Sequence, residues 1–336
     1  MTRILYIGNA LSKHGYNIST IETLGPLLYS EGYHVITSSS RKNSAIRLLS
    51  MIKSTIRNAG NVDFVLIDTY STLNFWYALI ISQICRLLKI KYIPILHGGN
   101  LPQRIKKNPF LSELIFKNAY INSVPSLFLY QKIIDQKWNN IVHIPNQIEI
   151  RDYSFKKRTQ FKPKILWVRS FTTIYNPKMA IDVLEIVKLS FPLAELCMVG
   201  PENGISIESL KKYANSKSLN VNFTGKLSKQ DWIKLSESYD IFINTTHFDN
   251  TPVSLIEALA LGLPVISTNV GGIPYLVKDG ETALLVNDSY SKAMADAIIE
   301  LIENPDLAQK LATNGRKLTE QFDWNIVKNQ WKEILK

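Results

Sequence analysis

Short, uniformly apolar runs recur through this chain, each followed by a longer stretch with helical spacing, and that alternation limits the fold more than any other feature. Residues 4–8, 34–38, 64–68 and 92–96 read as strands, with shorter signals at 120–123 and 142–145. Residues 20–31 read as a helix stopped by Gly32, since glycine accepts the left-handed conformation that ends helices. Residues 73–88 form the most apolar stretch, interrupted by Asn74, Gln83 and Arg86 and too short to span a bilayer, so a buried helix is expected. Strands apolar on both faces and separated by helices belong to a parallel sheet covered on both sides.

A second cycle follows a polar, basic break at residues 151–163. Strands are expected at 165–168, 195–200, 221–224, 241–244, 264–267 and 283–286, with helices at 178–188, 229–238 and 254–261. The tail reads as helical from Ser291, broken at Asn304-Pro305 and at Asn314-Gly315. Two successive alternations predict an α/β chain of two doubly wound, Rossmann-like domains, over residues 1–152 and 153–321, facing across a cleft. The length of 336 residues suffices for two cores.

Composition narrows the function. Cys85 and Cys197 lie far apart in apolar runs, which excludes a disulfide scaffold and a cysteine-ligated zinc and fits a reducing compartment. The chain enters its first strand at once, without the pattern of a signal peptide, and a cytoplasmic location is expected. Of the net charge of +11, residues 1–150 supply +9, from 16 Lys and Arg against 7 Asp and Glu. Such an excess suits an anionic membrane surface, an anionic substrate or a plain solvated surface. Nucleic acid is not expected: zinc-finger spacing and aromatic RNA-binding motifs are missing, and the densest basic tract is only Arg104-Ile105-Lys106-Lys107.

The chemistry concentrates in residues 248–272. Phe248-Asp249-Asn250-Thr251-Pro252-Val253-Ser254-Leu255-Ile256-Glu257 reads as a loop entering a helix, with Pro252 suited to its first turn. The early amides of that helix point at the carboxyl edge of the sheet, where an anion or a sugar hydroxyl is received. Glu257 reads equally as a ligand-binding carboxylate or as the acidic half of a capping box with Ser254, and Asp249 as a ligand or a turn residue. Beyond the buried strand, Gly271-Gly272 makes a turn expected to offer free amides at the same edge.

These residues resemble the retaining glycosyltransferases of the GT-B fold, family 4. That family carries an acidic residue, seven residues, then Glu, followed by E-A-x-A-x-G-x-P-V-I and a Gly-Gly. Glu257-Ala258-Leu259-Ala260-Leu261-Gly262-Leu263-Pro264-Val265-Ile266 matches it, and Asp249 stands where the family has its first Glu, one methylene shorter. The resemblance is close over the second half of the chain and loose over the first. It implies that Glu257 binds the ribose hydroxyls of a sugar nucleotide, and that Asp249 with the loop Asn250, Thr251, Pro252 and Val253, through the amides other than that of Pro252, holds the donor sugar. It also implies a basic pair for the diphosphate, here Arg169 and Lys178, although the spacing is longer than the family's and the glycine before the arginine is missing. Two fixed cations would stabilise the charge that builds on the leaving phosphate. Lys178 reads alternatively as a solvated residue at a helix start.

Other positions follow at strand ends. His97-Gly98-Gly99-Asn100 is expected to place His97 against the donor or acceptor. Relatives use a Gly-Gly in the first strand–helix loop, residues 8–17; this chain offers Gly15 as the weaker counterpart, beside His14. Gly225, in Phe223-Thr224-Gly225-Lys226-Leu227, joins Val199-Gly200-Pro201-Glu202 in the region that cradles the nucleobase in relatives. The sequence holds no Asp-x-Asp, so metal-independent transfer from a nucleotide-sugar, with no resident cofactor, is expected. With that resemblance, the basic residues 1–152 are expected to be the acceptor domain, and the charge of the stretch at Arg104, Lys106 and Lys107 is expected to meet the anionic cytoplasmic membrane face and a glycan or lipid-linked glycan acceptor. Residues 322–336 would form a helix returning onto that domain.

Three other classes compete. An epimerase or a phosphorylase would share the two-domain cleft. A nicotinamide-dependent dehydrogenase would need Gly-x-Gly-x-x-Gly after the first strand, and the chain has none there. A non-catalytic basic interaction protein has no use for an acidic motif in a cleft.

Overall fold

The computed structural model describes residues 1–16, 18–134, 136 and 138–336. It divides into two compact units, residues 1–147 with Trp324–Lys336, and Ile148–Asp323. Each is a six-stranded sheet in which every paired strand runs parallel.

In the first unit the strands are β1 (Arg3–Ile7), β2 (His34–Ser38), β3 (Phe64–Thr69), β4 (Lys91–Leu96), β5 (Asn122–Val124) and β6 (Ile141–His143), in the order β2-β1-β3-β4-β5-β6. Strands β1, β3 and β4 are buried on both faces, as their uninterrupted apolar sequences predict. The second unit holds β7 (Lys164–Val168), β8 (Glu195–Val199), β9 (Asn222–Gly225), β10 (Ile241–Asn244), β11 (Val265–Thr268) and β12 (Leu284–Val286). Their order, β12-β11-β10-β7-β8-β9, reverses direction between β7 and β10. In an open α/β sheet the crevice for ligands lies outside the carboxyl ends of the strands at that reversal.

The helix Trp324–Ile334 belongs to the first unit. Its Trp324, Val327, Trp331 and Ile334, with Leu335, pack into a cluster with Ile4, Tyr6, Leu24 and Leu28. Lys328 and Lys332 reach Glu31 at 3.0 and 2.6 Å. Trp331 is almost wholly buried. Trp331→Ala is therefore expected to cost about 3–5 kcal/mol, visible as a lowered urea midpoint with an unchanged slope.

Several helices have no counterpart among the expected elements. Ser44–Asn58 is capped by Asn43, whose side chain accepts from the amides of Ala45 and Ile46, and it buries Arg47, Met51 and Thr55. Leu101–Lys107, Pro109–Phe116, Leu127–Ile134 and Ile207–Ser216 are also helical. The expected break at Asn314-Gly315 is overturned: one helix runs Pro305–Glu320 through both residues. Gly315 faces Leu259, and a Cβ there would lie 2.6 Å from the Leu259 side chain, so the glycine permits close helix packing instead of ending a helix. Among the described residues, no helix is long and apolar enough to cross a membrane.

Candidate donor site

Arg169 follows β7 and Asp249 follows β10, so the direction reversal of the second sheet brings together two residues 80 positions apart. The guanidinium forms an ion pair with Asp249 through Nη2 and Oδ2, and Nη1 donates to Ser254 Oγ at 3.3 Å. The Tyr175 ring lies beneath it, 3.8 Å from the guanidinium carbon. Arg169 Nε is buried without a hydrogen-bond partner. The guanidinium is thus nine-tenths covered, held by Asp249, Ser254 and the Tyr175 ring. Asp249 is equally committed, since Oδ1 accepts the amide of Asn250 at 2.7 Å.

The loop beyond Asp249 is pinned from the far side. The Gly272 amide donates to the Asp249 carbonyl at 2.8 Å. A Cβ at Gly272 would fall 1.8 Å from the Asn250 carbonyl oxygen, so only glycine lets the two backbones touch. This corrects the expectation of free Gly-Gly amides: that of Gly272 is used to hold the loop. Pro252 is the N-cap of the helix Val253–Ala260, one position earlier than the first turn. The amides of Val253 and Ser254 open this helix, and an α-helix has no internal acceptor for such groups.

Glu257 sits one turn further on. Its Oε1 accepts the Tyr153 hydroxyl at 2.6 Å and lies 3.6 Å from Lys229 Nζ. Burial pushes this carboxyl above its ordinary range, against the pull of Lys229 and Tyr153. The capping-box reading therefore fails: Ser254 Oγ serves Arg169, and the helix has no side-chain cap. Sequence reasoning missed Tyr153, Lys229 and Tyr175, and gave Ser254 a capping role where it bonds to Arg169. Tyr153 fell within the basic break, and Lys229 opens a helix without a motif.

Among the described residues, Lys178 and Gly225, in the same unit, make no hydrogen bond or ion pair with Arg169, Asp249 or Glu257. Lys178 is exposed in the first turn of Pro177–Ser190, its ammonium 5.2 Å from the Tyr213 ring centroid and in no recorded contact with Arg169. Gly225 ends the edge strand β9, where its carbonyl accepts the Gly200 amide at 2.9 Å. In the first unit, His97 is buried after β4, with Nε2 3.0 Å from Asp68 Oδ1 and its ring stacked on Tyr70. Tyr6 donates to the same Asp68 oxygen at 3.0 Å. Gly15 closes the short turn Ser12–His14 with open space about it, and His14 lies 3.0 Å from the Ser40 carbonyl. Asn17, the end of that loop, lies outside the described residues. Arg104 is spent within the fold, donating to the Ser71 carbonyl at 2.8 Å and to Asn108, which leaves Lys106 and Lys107 as the exposed basic pair of that stretch. Among the described residues, no three His, Cys, Asp or Glu side chains gather as a metal site.

The sheet order defines a doubly wound α/β architecture. Comparison with known proteins makes this specific. Residues 149–318 match the family model described as glycosyl transferases group 1, and the chain belongs to that family. It is 24% identical over 198 residues to a phosphatidyl-myo-inositol mannosyltransferase of Mycobacterium leprae, covering 57% of this chain and 52% of that protein, so the match spans about half the relative's length. Among solved structures it is similar to sucrose-phosphate synthase from Thermosynechococcus elongatus, with a TM-score of 0.78 at 17% identity over 99% of this chain and 98% of that one. It is also similar to HepE of Anabaena in complex with UDP and glucose, at 0.76 and 17% identity over 100% and 99%. The fold is GT-B.

Proposed function

We propose that the protein transfers a sugar from a nucleotide-sugar to a hydroxyl of a glycan or lipid-linked glycan, with retention at the anomeric carbon, as a family 4 enzyme of cell-surface polysaccharide or lipopolysaccharide assembly. The observation that carries this reading is the buried Arg169, paired to Asp249 at the sheet reversal, with Glu257 on the adjoining helix. Arg169 receives the diphosphate, its guanidinium oriented by Asp249, Ser254 and the Tyr175 ring. Glu257 receives the ribose hydroxyls. The amides at the start of Val253–Ala260 add partial positive charge, so the departing phosphate is neutralised without a metal ion. Retention follows from a same-face displacement: the bond from the anomeric carbon to the phosphate oxygen breaks, the acceptor oxygen bonds from the same side, and the leaving phosphate takes the acceptor's proton. A covalent sugar trapped on Asp249 would contradict that route.

The unit of residues 1–147 is the proposed acceptor and membrane side. Helix Ser44–Asn58 supports this, since its exposed stripe sets Ile46, Leu49 and Ile56 among Lys53 and Arg57, and no acidic residue occurs between Glu31 and Asp63. An exposed apolar stripe with only basic charge suits the surface of an anionic bilayer. Mixed with phosphatidylglycerol vesicles at low salt, the protein is expected to co-sediment, and to be released as salt rises through about 0.5 M. The transfer itself is tested by incubating UDP-, GDP- and ADP-sugars, labelled in the sugar, with a bacterial lipid extract. Label is expected in the organic phase from one nucleotide class, unaffected by EDTA, with the donor's anomeric configuration in the product. A protein that stays in the supernatant contradicts the membrane assignment; an inverted product contradicts retention.

A further inference from the structure

Glu257 is a carboxylate only 12% exposed, and a group so stripped of water takes a defined pose only if its neighbours impose one. Both of its recorded partners fall on one oxygen. The Tyr153 hydroxyl donates to Oε1 at 2.6 Å, and Lys229 Nζ stands 3.6 Å from the same atom, in ion-pair range and beyond a good hydrogen bond. Oε2 takes neither. A carboxylate offers about four acceptor positions, so a diol approaching Glu257 meets a whole free oxygen and a remaining lone pair on Oε1.

Tyr153 is itself held. Its ring is 1% exposed, and its carbonyl accepts Arg316 Nη1 at 2.6 Å. The same Nη1 donates at 2.6 Å to the carbonyl of Ala260, the last residue of the helix that carries Glu257. Arg316 thus ties the Tyr153 backbone to Glu257's own helix, and the hydroxyl reaches back to the carboxylate from a fixed base. Lys229, first residue of the helix Lys229–Ser236, lies 5.0 Å from the Tyr153 ring centroid and closes the arrangement from the solvent side.

We infer that Tyr153 is a positioning residue of the donor site, fixing the Glu257 carboxylate through Oε1 so that Oε2 is presented to the ribose diol, with Lys229 holding the same oxygen. The inference rests on the proposed ribose-binding role of Glu257. The hydroxyl costs one hydrogen bond to lose, while the ring that fills the core stays in Tyr153→Phe. The titratable groups acting on the carboxyl are Tyr153 and Lys229, and both favour its charged form, so removing either moves its titration upward.

The test uses whichever of UDP, GDP and ADP binds the full-length protein best, together with its 2′,3′-dideoxy counterpart, by calorimetric titration from pH 5 to 8. Glu257→Gln is expected to weaken the ribonucleotide about 10- to 100-fold and to leave the dideoxy ligand unchanged. Tyr153→Phe is expected to weaken the ribonucleotide about 3- to 10-fold, again sparing the dideoxy ligand. Its acid-side loss of affinity comes at a higher pH than in wild type, and the double variant binds no worse than Glu257→Gln. Lys229→Met, at an exposed position, moves the pH midpoint the same way without disturbing the core. Should Tyr153→Phe weaken both ligands alike, add fully to Glu257→Gln or leave the midpoint in place, the positioning role is overturned while the Glu257 assignment stands. Should Glu257→Gln itself fail to distinguish the two ligands, the ribose reading is overturned, and this inference with it.

Discussion

Replacing Arg169 by alanine is expected to lower the rate of sugar transfer by about 100- to 1,000-fold, the range seen when one preorganised donor is removed from a charge-stabilising site. The loss should fall on kcat, because the phosphate gains negative charge as its bond to the sugar breaks and the cation matters most at that moment. Arg169→Lys is expected to recover only part of the rate. A lysine keeps the charge, but not the planar fork that joins Asp249 and Ser254 at once while lying on the Tyr175 ring. Removing the arginine also leaves the Asp249 carboxylate, 14% exposed, without its counter-ion, so a melting curve on Arg169→Ala belongs beside the kinetics. Lys178→Ala is expected to change kcat far less, since that ammonium sits exposed over Tyr213.

The second large effect is at Glu257, and it separates function from stability. Glu257→Gln is expected to abolish most of the nucleotide affinity and yet to melt at a higher temperature than wild type at pH 7. The sign follows from linkage. A carboxyl whose folded pKa is raised above its unfolded value binds its proton more tightly in the folded state. Above both values the charged group is buried at its full cost, and that cost is relieved as pH falls through the folded pKa toward the unfolded one. Glutamine removes the cost at neutral pH. The gain in melting temperature should therefore shrink as pH is lowered, while the loss of affinity is fullest at the pH where the wild-type carboxylate is charged.

The inner strands were legible because they are buried on both faces, so apolarity is continuous and needs no partner to be recognised: residues 64–67 and 241–243 are examples. The helix Ser44–Asn58 was not legible, since two of its three fully buried residues, Arg47 and Thr55, are polar, and Leu48 and Ile52 pack only partly covered beside Met51. Arg47 is buried there only because its guanidinium donates to the carbonyls of Arg41 and Lys42, a local device that apolar periodicity does not report. Gly315 misled for a related reason, as its meaning depends on Leu259, 56 residues away. In the donor site, Asp249 and Glu257 were legible because they lie in one continuous segment. Their partners were not. Arg169 was found at a strand end, but the ion pair that uses it depends on the sheet order. Tyr153 is 104 residues from Glu257, and only the folded chain shows that the carboxylate has a hydroxyl beside it.

The central claim is that the unit Ile148–Asp323 binds a nucleotide-sugar through Glu257 without a metal ion. Thermal unfolding against UDP-, GDP- and ADP-sugars, with and without EDTA, on wild type and Glu257→Ala, tests it most directly. The account predicts a rise in melting temperature with one nucleotide class, indifferent to EDTA and lost in the variant. No rise with any sugar nucleotide, together with a rise on adding a nicotinamide dinucleotide, would contradict it.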